Sequence, residues 1–164
     1  MGIFACTLVA ATFLCALVAG FLFAFAVVVM PGIKTLNDAE FVRAFQVMDR
    51  VIQNNQPAFI LVWVGSAIAL VAAMGLSFYD SDFVRQAPLL ILGAFYLFLV
   101  QLPTIVINIP LNNKLQSFDV ATLTEDDARQ VRAEFEQRWN RSNIVRTVVA
   151  CFVCFSLIVL TTQL

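Results

Sequence analysis

The sequence contains no histidine and few charged residues. Of its 164 residues, 13% are Asp, Glu, Lys or Arg, whereas a soluble domain of this length carries about a quarter. The absence of histidine removes the side chain that most often serves as a general base or as a metal ligand. No cysteines or carboxylates cluster at the spacing of a zinc or iron site. We therefore expect no metal site and no cofactor.

Basic residues are not concentrated on any segment. The ten Lys and Arg residues are interleaved with 11 Asp and Glu residues, giving a net charge of −1. Binding to a phosphate backbone requires a concentrated basic face, and no glycine-rich phosphate-binding loop occurs in the sequence. The sequence therefore predicts no nucleic-acid partner.

The four cysteines invite a redox interpretation, because Cys151 and Cys154 form a CxxC pair. Both of them, like Cys6 and Cys15, lie within long apolar runs. Thiol exchange requires an accessible thiolate of low pKa, which a low-dielectric environment opposes. We expect these cysteines to act as small hydrophobic side chains.

Long apolar runs dominate the rest of the chain, which is 61% hydrophobic. A bilayer is crossed by about 20 apolar residues in a helix. Four segments reach that length: about 3–30, 57–78, 88–109 and 144–164. The first lacks a basic n-region and is too long for a signal-peptide h-region, so we expect it to stay in the mature protein. The sequence thus predicts an all-α fold, a four-helix transmembrane bundle forming one membrane domain over residues 1–164.

The distribution of Lys and Arg predicts the orientation in the membrane. The loops after the first and third segments carry nine of the ten basic residues, and Arg85 is the one on the opposite side. Basic loops remain in the cytoplasm. We expect a multi-pass protein of the inner membrane with both termini outside and both long loops cytoplasmic.

Both cytoplasmic loops are predicted to be helical. Asn37 is a candidate N-cap for a helix whose apolar residues recur at helical spacing: Phe41, Phe45, Met48 and Ile52. Such a helix is amphipathic and is expected to lie at the membrane surface or under the bundle. Thr124 is a candidate N-cap for a second loop helix, with acidic residues in its first turn. That helix can continue without a break into the fourth segment.

Polar side chains follow one helical face of the third segment: Gln101, Thr104, Asn108 and Asn112. Amides inside hydrocarbon are costly unless they have partners, so this face must point inward or line a cavity. Pro103 and Pro110 also remove backbone hydrogen bonds, and a break at Pro110 would take Asn112 out of this row.

The fourth segment begins with another polar face: Trp139, Asn143, Arg146 and Thr147. Arg146 either extends to the membrane surface or is buried against partners. The predicted topology brings both faces to the same membrane edge, beside Asn54 at the base of the second helix. This network either ties the loops to the bundle or forms a ligand pocket. The residues predicted for the pocket are Asn54, Gln101, Asn108, Asn112, Trp139, Asn143 and Arg146.

Four stretches of the sequence resemble one family of small membrane proteins. They are "VVMPGI", "AFQVMDRVIQNNQPAF", "NIPLNNKL" and "RWNRSNIVRT". Together they resemble the four-helix proteins grouped with the anthrone oxygenases, and the resemblance spans almost the whole chain, from the first to the fourth membrane segment. Its most specific parts are Asn108-x-Pro110-x-Asn112 and Trp139-x-x-x-Asn143-x-x-Arg146.

The resemblance implies oxidation of anthrone-like aromatics to quinones by dioxygen, without metal or flavin. Arg146, Asn108 and Asn143 would then be catalytic and would stabilise an enolate oxygen. The substrate would be bound by the other predicted residues: Asn54, Gln101, Asn112 and Trp139. The chain lacks the histidine that some members use as a general base. By its position in the loop, Asp49 is the carboxylate nearest to the predicted pocket.

A second class of function is non-catalytic. The protein would then be a membrane accessory subunit, or a binder of a lipid or of a hydrophobic small molecule. A coupled transporter is less favoured, since such proteins usually carry carboxylates at the membrane midplane. Copurification with a partner protein would favour the accessory subunit, whereas an oxygenase should act alone.

Overall fold

The fold is all-α in the part of the chain that the computed structural model describes, residues 2–80 and 83–163. Three of its five helices are uninterrupted: α2 (Asp38–Gln53), α3 (Pro57–Asp80) and α5 (Glu125–Thr161). The other two contain π-helical turns. Helix α1 runs through Ile3–Ala24, a π turn at Phe25–Val29 and Met30–Ile33. Helix α4 runs through Phe83–Tyr96, π turns at Leu97–Gln101 and Thr104–Asn108, and Ile109–Gln116.

Four of these helices are long and apolar enough to cross a membrane. Within the described residues they are Ile3–Ile33, Pro57–Tyr79, Gln86–Gln116 and Glu125–Thr161. This confirms the predicted four-helix bundle of an integral membrane protein. The helices extend further than the apolar runs, since α1 and α4 continue into polar residues and α5 begins well before the membrane segment. The side chain of Arg85, on which the predicted orientation partly depends, lies outside the described residues.

The caps predicted for the loop helices are present. The Asn37 Oδ1 accepts a hydrogen bond from the Glu40 amide at 2.9 Å, which starts α2. At the start of α5, Thr124 and Asp127 form a reciprocal capping box, which satisfies two backbone donors of the first turn. From there α5 runs for 37 residues without interruption. The second loop helix and the fourth membrane segment are therefore one continuous helix.

The prolines of α4 change the backbone hydrogen-bond pattern but do not end the helix. A π turn lies on each side of Pro103, and the second one, Thr104–Asn108, leads directly to Pro110. A π turn shifts hydrogen bonds by one residue, which gives the carbonyls that face a proline a different donor. Helix α4 then continues to Gln116, so Pro110 does not break it.

Two hydrophobic cores support the molecule. The bundle core lies among the membrane helices and consists of side chains such as Val18, Leu70, Tyr96, Val100 and Leu157. All of these are fully buried or nearly so, as expected where four apolar helices meet. All four cysteines are unpaired. Cys15 belongs to the bundle core as predicted, whereas Cys6 and Cys151 lie on its outer surface, where an apolar side chain would face lipid.

The second core, the loop core, joins α2 to the ends of the membrane helices. Phe41, Phe45 and Phe135 form its centre, with Phe45 and Phe135 in an edge-to-face contact at 4.6 Å between ring centroids. Arg132 of α5 fastens the chain between α1 and α2 by donating to the carbonyls of Lys34 and Leu36. The amphipathic helix predicted from its spacing thus packs under the bundle. We call this end of the molecule the loop side.

Candidate functional site

A cavity of about 130 Å³ lies between the two cores. Helices α1, α2, α3, α4 and α5 all contribute side chains to its wall. The aromatic and aliphatic wall consists of Phe21, Leu22, Phe25, Phe45, Ile52, Phe59, Trp63, Ile109 and Trp139. The polar wall consists of Asp49, Thr104, Asn108, Asn112, Asn143 and Arg146. The cavity thus combines aromatic faces with a few convergent polar groups, the usual composition of a small-molecule site.

Arg146 is a buried cation without an anionic partner. Its side chain is 3% exposed. Nη1 donates to the Thr104 hydroxyl at 2.8 Å, and Nη2 donates to the Asn143 Oδ1 at 3.1 Å. Its Nε–H has no acceptor, and among the described residues no carboxylate forms an ion pair with it. A buried guanidinium in this state is costly and favours an anionic ligand.

Asn108, which lines the same cavity, carries a second unused donor. Its Oδ1 accepts a hydrogen bond from the Ser142 hydroxyl at 2.6 Å, which fixes the orientation of the amide. Its Nδ2 has no partner. In the part of the chain that the structure describes, this Nδ2 and the Arg146 Nε are the two buried side-chain polar atoms that lack a hydrogen bond. Both belong to residues that line one cavity.

Asp49 supplies the negative charge of the site. Its side chain is 5% exposed and accepts hydrogen bonds from three amides. Oδ2 accepts from Gln53 at 2.7 Å and from Gln116 at 3.0 Å, and Oδ1 accepts from the Asn112 Nδ2 at 2.8 Å. A carboxylate has about four acceptor positions, so one position on Oδ1 is left unused.

Two further side chains hold these groups in place. The Trp139 indole donates to the Asn112 Oδ1 at 2.8 Å, which turns the Asn112 amide nitrogen towards Asp49. Asn143 donates to the Leu22 carbonyl at 3.3 Å and accepts from Arg146, and so ties α1 to the guanidinium. The cavity therefore has a fixed carboxylate and a fixed cation in its wall.

The structure brings together five of the seven predicted pocket residues: Asn108, Asn112, Trp139, Asn143 and Arg146. Gln101 lies on the same face of α4 but outside the cavity lining. Its amide nitrogen is 3.4 Å from the Trp63 carbonyl and 3.4 Å from the Ser66 hydroxyl. Asn54 is the exposed C-cap of α2 and also lies outside the lining.

Sequence reasoning missed the aromatic half of the wall. Phe21, Phe59 and Trp63 come from α1 and α3, and their rings lie 5.3 to 6.3 Å apart between centroids. Single aromatic residues in apolar runs give no signal of this kind, because lipid-facing and cavity-facing rings look the same in sequence. Ser142 was missed although it precedes Asn143. Its role depends on the neighbouring helix, which a single helical face does not reveal.

The described residues contain no group of three Cys, Asp or Glu side chains placed to hold a metal ion. The cavity wall supplies one carboxylate, one guanidinium and several amides among its aromatic side chains. Such a set can remove a proton and stabilise the resulting anion.

Comparison with known proteins gives one assignment. Neither the curated proteins nor the solved structures include a match to this chain. A family model described as anthrone oxygenase matches residues 44–156, which is more than half of the chain. The matched segment contains every polar residue of the cavity wall, from Asp49 to Arg146. This chain belongs to the anthrone oxygenase family.

Proposed function

We propose that the protein oxidises an activated aromatic methylene compound, of the anthrone class, to a quinone with dioxygen inside this cavity. The observation that carries the proposal is the pair of unpartnered donors, Arg146 Nε and Asn108 Nδ2. An unsatisfied buried donor costs about 1–3 kcal/mol, and a charged one costs more. A ligand oxygen with developing negative charge would satisfy both. The carbonyl oxygen of an anthrone gains such charge when the opposite methylene loses a proton.

Asp49 is the proposed base. Its unused Oδ1 position is the acceptor for the methylene proton, and the three amides hold the carboxylate in place. Arg146 and Asn108 stabilise the enolate oxygen that forms. A positioned general base contributes about 10²–10⁴-fold, and one oxyanion donor about 10²–10³-fold. In this proposal Asp49 removes the proton, and Arg146 and Asn108 stabilise the negative charge that results.

Dioxygen is the oxidant in the second stage. The enolate carbon transfers electrons to dioxygen, a carbon–oxygen bond forms, and the peroxide takes up the proton held by Asp49. Loss of the remaining proton on that carbon then breaks the oxygen–oxygen bond and releases water. One dioxygen is consumed for each quinone and each water formed. The substrate is oxidised by four electrons, and both oxygen atoms are accounted for.

We also propose that the loop side faces the cytoplasm. Nine of the ten Lys and Arg residues fall in the loops on that side or at its membrane edge, and basic loops are retained there. The cavity would then lie near the cytoplasmic edge of the inner membrane. Labelling of an introduced cysteine at Asn54 by a membrane-impermeant maleimide, in intact cells against opened cells, tests this orientation.

The direct test is oxygen uptake by the purified protein in lipid with an anthrone, followed by quinone absorbance. We expect turnover above spontaneous oxidation, and a loss of about 10²–10⁴-fold in Asp49→Asn. Asp119→Asn is the matched control, because this exposed loop carboxylate does not line the cavity. If the wild type does not exceed the spontaneous rate with several anthrones, the oxygenase proposal is wrong. The non-catalytic binder of an apolar molecule would then be favoured.

A further inference from the structure

The buried and the more exposed residues of the cavity wall differ in polarity. The buried lining residues, each less than a tenth exposed, carry most of the polar atoms: Asp49, Thr104, Asn108, Asn143 and Arg146. Those that keep some exposure are apolar, with Asn112 as the exception: Phe21, Phe25, Ile52, Phe59, Trp63 and Ile109. A ligand that arrives from outside meets the exposed part of the wall first. That side of the cavity is hydrophobic.

The helix packing shows where this opening lies. Helix α3 packs on the first part of α4, Phe83–Tyr96, close to where the two helices follow one another in the chain. It has no comparable packing with Thr104–Asn108 or Ile109–Gln116 in the described residues. Both segments pack against α5 instead, and Ile109–Gln116 also packs against α2. Helices α3 and α4 therefore separate towards the loop side.

Side chains of both helices at this gap line the cavity: Phe59 and Trp63 of α3 and Ile109 of α4. Gln101 reaches across to the Trp63 carbonyl and bridges the helices on the far side of the cavity from the loops. Beyond this bridge, Ile109 of α4 is 45% exposed. On α3, Phe59 and Trp63 stack with 5.3 Å between ring centroids. The gap is thus lined by flat rings and one aliphatic side chain.

We propose that the ligand enters this cavity sideways from the lipid, through the gap between α3 and α4. The apolar gap at one end of the path favours a flat, uncharged aromatic that partitions into the bilayer. The unpartnered donors of Arg146 and Asn108 at the other end favour a ligand that carries one oxygen. A charged molecule dissolved in water cannot use the path, since desolvation at the apolar entrance opposes it. This entry route rests on the proposed binding of such a ligand in the cavity and does not depend on catalytic turnover.

The cavity volume adds a condition to this entry. About 130 Å³ is below the about 300–1,000 Å³ of sites for drug-sized ligands. A ligand of three fused rings must therefore extend into the gap or part α3 from α4. A substitution that fills the gap should slow entry more than it weakens binding.

Fluorescence of Trp139 gives a test independent of turnover. The chain has two tryptophans, so Trp63→Phe leaves Trp139, in the cavity wall, as the one emitter. The protein is placed in phospholipid vesicles with anthraquinone, or with anthraquinone-2-sulfonate, which stays in water. We expect saturable quenching by anthraquinone that follows its mole fraction in the lipid, and at least tenfold weaker quenching by the sulfonate.

Variants at the gap locate the entrance. In the same background, Ile109→Phe should slow the onset of quenching about tenfold, and Phe59→Ala should accelerate it. Ile105→Phe is the matched control, because Ile105 lies one turn earlier on α4, is 59% exposed and does not line the cavity. It should leave the rate unchanged.

Three results would overturn the entrance: equal quenching by the sulfonate, equal rates in Ile109→Phe and Ile105→Phe, or no saturable quenching by either probe. Oxygen uptake by the same vesicles, supplied with an anthrone in place of the quinone probe, reports separately on the oxygenase. If quenching follows the mole fraction of anthraquinone in the lipid but no turnover is seen, the proposed entrance is supported and the oxygenase proposal is wrong. Turnover of the anthrone together with equal quenching by the two probes would support the oxygenase and contradict the proposed entrance.

Discussion

Two buried polar clusters involve side chains of α4, one at Tyr96 and one at Asn108, and they differ in their hydrogen bonding. In the first, the Tyr96 hydroxyl and Ser66 Oγ are 2.7 Å apart, and Ser66 donates onward to the Trp63 carbonyl. Both side chains are fully buried, and each hydroxyl has a partner. In the second, Arg146 and Asn108 each keep one donor without an acceptor. A cavity adjoins the second cluster.

The comparison separates two reasons for placing polar groups inside a membrane bundle. A satisfied cluster adds directional contacts between helices and contributes modestly to stability. An unsatisfied cluster lowers stability, since its donors have lost water and gained nothing. It is retained where a ligand completes the hydrogen bonds. Substitutions in the first cluster should therefore change stability, and those in the second should change activity.

The largest effect is expected for Arg146→Met. The variant removes the cation but keeps much of the side-chain volume, so the enolate loses its main stabilising charge. We expect the rate of anthrone oxidation, as kcat/KM, to fall about 10³-fold. The thermal unfolding midpoint should stay the same or rise, because replacing buried charge by apolar volume is often neutral or stabilising. A large drop in the midpoint would mean that Arg146 serves the fold, and the contrast between the clusters would fail.

A smaller loss is expected for Asn108→Leu. It removes one donor to the enolate oxygen and leaves the guanidinium in place, so we expect about a 10²-fold fall in kcat/KM. Asn140→Leu on α5 is the control, because Asn140 does not line the cavity. Oxygen-electrode rates on both variants decide the matter. Equal rates would mean that the free Nδ2 of Asn108 has no part in the reaction.

The smallest effect is expected in the satisfied cluster. Tyr96→Phe deletes a hydroxyl whose partner is the Ser66 Oγ. We expect a loss of about 1 kcal/mol in unfolding free energy, the usual net value of one hydrogen bond, and no change in kcat/KM. Detergent-induced unfolding followed by circular dichroism measures the first quantity. A change in rate as large as that of Asn108→Leu would remove the distinction between the clusters.

Much of the fold can be predicted from the sequence because the membrane restricts the choices. Apolar length gives the four spans, and the spacing of Phe41 and Phe45 gives the buried face of α2. The caps at Asn37 and Thr124 place the starts of α2 and α5. Helix ends are harder, because α1 and α4 continue into polar residues where hydropathy no longer marks a boundary. The π turns beside Pro103 also leave no clear pattern.

The site is predictable only as far as a helical face can show it. Asn108, Asn143 and Arg146 were found because polar residues at helical spacing must face inward in a membrane. The same spacing points to Gln101, which belongs to the satisfied cluster, since spacing gives the direction of a side chain and not its partners. Asn54 was included by its position in the chain alone. Two of the three hydrogen bonds that orient Asp49 come from Asn112 and Gln116, which are far away in sequence.

Helix α5 has a mechanical consequence for the site. Its 37 residues span about 55 Å at 1.5 Å per residue, well beyond the about 30 Å of bilayer hydrocarbon. One rigid rod therefore carries Phe135 in the loop core, Arg146 in the cavity and Val153 in the bundle core. A thinner or thicker bilayer changes the tilt of such a rod. The acyl-chain length of the surrounding lipid would then control the width of the cavity at Arg146.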